Sequence, residues 1–147
     1  MFIALGIALI TTTIAGYYDY KKNVVPDILW AINLIASIII FRLELLKNGH
    51  LQIALMIFFV MLLVALLLKA FDGGDVKYIP SIALLTGEYI GLTILIGGLI
   101  EIVYAYIRSY IKKESIWATK LPTMPFIFIG MLASSGFEIY NIIKLYM

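Results

Sequence analysis

Four aspartates are the side chains best placed to do chemistry: Asp19, Asp27, Asp72 and Asp75. Asp19 follows residues 1–18, which hold no charged side chain, and Asp75 follows the pair Gly73 and Gly74. Two carboxylates brought together from distant parts of a chain can activate water for peptide hydrolysis. One is ionised and takes a proton from water; the other is protonated and donates to the carbonyl oxygen. Close like charges share a proton in this way because both cannot easily ionise. Glycines before such an aspartate let backbone approach a substrate strand and allow unusual dihedrals. Glu44 and Glu114 fall in polar connectors, while Glu101 and Glu138 fall inside apolar stretches. A carboxylate in hydrocarbon is expensive and is a functional suspect by default. Glu101 is expected to face another helix and to pair with Arg108, two turns away. The absence of Cys excludes disulfides, thiolate metal sites and Cys nucleophiles, and a single His, His50, excludes a His-rich metal site.

The elements that must position these residues follow from composition. Of 147 residues, 63% are hydrophobic and 14% charged, and the mean hydropathy is +1.05. Soluble domains run at about 45–50% apolar and about 25% charged. A membrane span takes about 20 apolar residues to cross a core about 30 Å thick. Six such spans fill most of residues 1–147 and leave no room for a second, soluble domain. The expected spans are 1–18, 27–41, 51–70, 127–145 and two within 76–111, where Gly87 and Glu88 break the apolar run. The first of that pair is short, so it starts or ends at a partly wet depth. Gly6, Gly91, Gly97, Gly98, Gly130 and Gly136 lie inside these apolar stretches, where small residues allow close helix contact.

Charge orients the bundle. With the N-terminus outside, the cytoplasmic connectors hold Lys21, Lys22, Lys69, Lys77, Arg108, Lys112, Lys113 and Lys120, eight of the eleven Lys and Arg. The outer side holds Arg42, Lys47 and Lys144. The excess fits the positive-inside rule. All four aspartates then fall on the cytoplasmic side. Positive charge follows the first apolar stretch instead of preceding it, which is the opposite of a cleaved secretory signal.

Three segments carry a resemblance. Asp19 is followed by Lys21 and Lys22, then by Val25 and Pro26, with Pro26 seven positions after the Asp and Asp27 next. Asp72-Gly73-Gly74-Asp75-Val76-Lys77 is similar to a GxGDxK motif. Leu121 to Phe126 gives Pro-x-x-Pro-Phe before the last span. In this order they resemble the type IV prepilin peptidases, a family of GxGD-type intramembrane aspartyl proteases that includes the archaeal preflagellin peptidases. The resemblance makes Asp19 and Asp75 the catalytic pair, and Asp72, Gly73, Gly74, Lys77, Pro26 and Asp27 substrate-contacting or loop-shaping residues. Asp72 stands where the motif has Gly, and Asp27 where Asn is common. It implies substrates with a short basic leader before an apolar helix, cut at the cytoplasmic face of a prokaryotic cell membrane. It implies no metal or organic cofactor and no nucleic-acid partner. The larger members' cysteine-bearing segment, linked to N-methylation, has no counterpart here, so peptidase activity without methyltransferase activity is expected.

Bland roles remain open beside these. Asp27 can cap a helix N-terminus, and Lys77 can be an interfacial lysine whose amine snorkels to water. Asp75 precedes a helix and Asp19 ends one, which points to Asp75 as the ionised member of the pair. Two other functions compete. An ion or proton-coupled transporter would use the acids within the membrane, although transporter sites lie near the midplane. A non-enzymatic scaffold for membrane assembly would tolerate Asn at either Asp.

Overall fold

A computed structural model of the chain describes residues 2–42, 49–68, 73–113 and 121–146. Among them are six helices and no strand: α1 (Phe2–Lys22), α2 (Asp27–Arg42), α3 (Gly49–Leu68), α4 (Gly73–Thr86), α5 (Tyr89–Lys112) and α6 (Met124–Tyr146). The all-helical class and the short fourth helix are as composition and the Gly87–Glu88 break imply. Among the described residues two helices, α3 and α5, are long and apolar enough to cross a membrane. Leu55, Met56, Phe59, Val60, Leu63, Leu66 and Leu67 lie exposed along α3. A surface of that kind is unusual for a soluble monomer and fits lipid contact.

The bundle is built around α4. It packs against α1, α2, α3 and α5, while α6 lies between α1 and α5. Tyr78, Ile79, Ile82, Ala83 and Leu85 of α4 are buried. A helix surrounded in this way can be short, because its length is matched to its neighbours and not to the bilayer. Pro80 lies inside α4 and lacks the N–H that would complete the previous turn. Ser81 Oγ donates to the Tyr78 carbonyl at 2.6 Å in the same stretch.

The far end of α4 is held by α3. His50 donates from Nδ1 to the Leu84 carbonyl at 3.1 Å. The chain then turns through Gly87 at φ +59, a left-handed conformation that favours glycine. His50 closes over this turn so tightly that a Cβ at Gly87 would come within 2.6 Å of the ring.

Glycine also sets the distance between α5 and α6. A Cβ at Gly97 would lie 2.7 Å from the Phe126 carbonyl oxygen, and one at Gly130 would overlap the Thr93 carbonyl oxygen. Thr93 and Ser134 join the same seam through their hydroxyls at 2.7 Å. Gly6, Gly91, Gly98 and Gly136 have open space where a Cβ would stand, so the expectation of close contact is met at two of the six positions.

Candidate active site

Asp19 lies in the last turn of α1, where the helix stops because Asn23 turns left-handed at φ 49. The Asn23 N–H still donates to the Asp19 carbonyl at 2.8 Å, so the stop is hydrogen-bonded. Asn tolerates this conformation better than most residues. Pro26 follows at a position that cannot continue α1, and α2 starts directly at Asp27. Asp75 sits in the first turn of α4. Both side chains are largely buried, at 6% and 8% exposure.

The α1–α2 turn and the start of α4 touch. A Cβ at Gly74 would stand 3.2 Å from the Val25 side chain and carbonyl oxygen. Gly74 is therefore small for a reason of approach. Neither Gly73 nor Gly74 has a positive φ, and both already belong to α4, so the unusual dihedrals expected before the helix are absent. Gly73 has open space at its Cβ position. Asp72 lies outside the described residues.

Lys77 reaches the first residue of α2, its Nζ donating to Asp27 Oδ1 at 3.1 Å. The side chains are 49% and 71% exposed, so water screens the pair and its contribution to stability is small. Asp27 thus combines the expected place at a helix N-terminus with a cation partner, and Lys77 takes a partner on α2 in preference to a snorkelling place alone.

The third segment contributes through backbone. The Met124 N–H, at the first residue of α6, donates to Asp19 Oδ2 at 2.8 Å. Asp19 thereby faces a helix N-terminus of its own. The asymmetry that pointed to Asp75 as the ionised member is reduced, because Asp19 meets the positive end of α6 as well as the negative end of α1. Thr123, one residue earlier, donates from its hydroxyl to Glu101 Oε1 at 3.1 Å. Glu101 is close enough to Asp19 for their charges to interact. The expected Glu101–Arg108 pairing is replaced by this bond across α5 and α6. A pocket of about 520 Å³ lined by Tyr20, Asn23, Tyr104, Arg108, Lys112 and Pro122 opens beside the same end of the bundle.

Behind the aspartates the helices are fastened by a buried polar chain. Tyr78 donates to Thr12 Oγ1 at 3.1 Å, Thr11 donates to Asn33 Oδ1 at 2.8 Å, and Asn33 Nδ2 donates to Ser81 Oγ at 3.1 Å. The chain links α1, α2 and α4, the helices that carry Asp19, Asp27 and Asp75. Buried hydrogen bonds of this kind fix helix register where apolar contacts alone would allow sliding. Among the described residues no cluster of His, Asp or Glu has the arrangement of a metal site.

No curated protein and no solved structure matches the chain. A family model does, over residues 6–106. The match takes in Asp19, the 23–27 turn, the Gly73–Gly74–Asp75 segment and Glu101, and it stops before the Pro-x-x-Pro-Phe segment. With well over half of its residues matched, the chain belongs to the Type IV leader peptidase family.

Proposed function

We propose that the protein is a membrane-embedded aspartyl endopeptidase that removes the short basic leader from type IV prepilin-like or preflagellin-like substrates, with Asp19 and Asp75 as its catalytic pair. The carrying observation is that two buried aspartates, from α1 and α4, lie at one end of the bundle where the α1–α2 turn meets α4. The ionised aspartate takes a proton from water, and the water oxygen attacks the scissile carbonyl carbon. The other aspartate gives its proton to the carbonyl oxygen. Collapse of the tetrahedral intermediate breaks the C–N bond: the proton held by the first aspartate goes to the leaving amine, and one gem-diol hydroxyl returns a proton to the second aspartate as the carboxyl product forms. Every proton is accounted for within the pair and one water, so the cycle calls for no metal or organic cofactor.

In this reading the chain crosses a prokaryotic cell membrane six times with its N-terminus outside and its site at the cytoplasmic face, which the eight of eleven Lys and Arg assigned to that side support. The substrate's apolar helix lies in the membrane against the bundle, and its basic leader meets Asp27 and Asp72.

The test is cleavage of a leader-bearing pilin-like or archaellin-like protein in membranes. Asp19→Asn and Asp75→Asn are each expected to lose about 10²–10⁴-fold in rate while remaining folded. Cleavage at the parent rate by either variant removes that residue from the chemistry.

A further inference from the structure

We propose that Glu101 is a positioning residue for Asp19, acting through Thr123 and the first turn of α6. The assignment rests on the reading of Asp19 as a catalytic residue.

Two consecutive residues hold two carboxylates from two different helices. The Met124 N–H is bonded to Asp19 of α1, and the Thr123 hydroxyl is bonded to Glu101 of α5. Thr123 and Met124 are both buried, so water does not readily substitute for either bond. The Thr123 carbonyl accepts from Phe126 and Ile127 at 3.1 Å, which makes Thr123 the residue from which α6 starts. A Thr there ordinarily serves its own helix through the side-chain oxygen. Here the hydroxyl proton is committed across to α5. Glu101 therefore anchors the N–H that aims the Asp19 carboxylate. A displacement of about 1 Å at a reacting group can cost about 10²-fold in rate.

Glu101 has a second, through-space effect on the same group. The charged residues of the elements around Asp19 are Lys21 and Lys22 on its own helix, Asp27 and, at the far end, Arg42 on α2, Asp75 and Lys77 on α4, and Glu101, Arg108 and Lys112 on α5. In α6 the charged residues, Glu138 and Lys144, are many turns from Met124. Lys77 is engaged with Asp27. Glu101 is thus a carboxyl neighbour fixed on the α5 side of Asp19, and where it is ionised its charge enters the pH range over which the pair shares a proton.

The two effects separate by substitution. Glu101→Gln keeps an oxygen to accept from Thr123 but removes the charge. Thr123→Val keeps the charge but removes the bond, and Thr123→Ser restores it. The experiment measures leader cleavage in membranes across pH for these three variants, for the parent and for Asp19→Asn, with thermal midpoints as the folding control. Glu101→Gln is expected to move both limbs of the kcat profile to lower pH by at least about half a unit, because the pair then ionises without the Glu101 carboxylate beside Asp19. Thr123→Val is expected to lower kcat at least about tenfold with KM little changed, and Thr123→Ser to recover most of it. If Asp19→Asn is inactive while Glu101→Gln and Thr123→Val keep the parent kcat and pH profile, the Glu101 assignment is overturned and the aspartyl pair stands. If Asp19→Asn cleaves like the parent, both fall together.

Discussion

At the scale of single residues, Asp19 does more than offer a carboxylate. It terminates α1, and its Oδ2 takes the first N–H of α6. Its replacements should therefore differ in stability as well as in activity. Asp19→Asn keeps an oxygen that can accept from Met124 and should unfold near the parent midpoint. Asp19→Ala leaves a buried N–H unserved, at a cost of about 1–3 kcal/mol. A lower midpoint in detergent for Ala than for Asn, with both variants inactive, is the expected result. The aspartates themselves were legible in the sequence, because a carboxylate at each end of a fixed motif is a local pattern. The Asp19–Met124 bond was not legible, since it joins residues 105 positions apart and only the packing of α1 on α6 creates it. Glu101 shows the same limit from the other side. Its spacing to Arg108 suggested a partner on its own helix, and the α5–α6 seam supplied a different one.

At the scale of elements, hydropathy and the Gly87–Glu88 break were sufficient to give six helices, and the observed bounds differ from the expected ones at the ends. α1 runs on to Lys22 because Tyr20, Lys21 and Lys22 are tolerated in a helical last turn, where positive charge meets the helix dipole. The glycines were less legible, because composition marks a small residue but not the face it lies on. Gly97 and Gly130 sit where α5 and α6 carry backbone against backbone, and Gly98 sits one residue away facing open space. Gly130→Ala and Gly97→Ala should each force the seam apart and cost about 1–3 kcal/mol or more, with loss of cleavage as Thr123 and Met124 move with α6. Gly98→Ala should be neutral or slightly stabilising, since Ala is the better helix former. Thermal midpoints of the three variants in one detergent decide the matter.

At the scale of the whole molecule, orientation and depth are the quantities that matter for a substrate. The chain has no cysteine, so single cysteines can report sidedness without a background. Lys112→Cys should react with a membrane-impermeant thiol reagent only when the cytoplasmic face is accessible, and Lys144→Cys only from outside. The reverse pattern would turn the bundle over. Depth follows from the His50–Leu84 bond, which sets one end of α3 level with one end of α4. From Leu84 to Asp75, α4 rises about 13.5 Å, whereas from His50 to Leu68, α3 rises about 27 Å in the same direction. On the other flank, α5 continues about 16 Å beyond Glu101 to Lys112. By helix length, α3 and α5 thus extend beyond the level of the two aspartates. On the proposed leader-peptidase reading, a leader in extended form carries the scissile bond past those helix ends to the aspartates. About four residues at about 3.4 Å each span the difference in length between α3 and α4. A leader shortened residue by residue should be cut at an undiminished rate down to about four residues and then lose cleavage abruptly, whatever charge the remaining residues carry. Such a dependence would make the overhang of α3 and α5 a gauge of leader length, separate from any recognition of leader sequence.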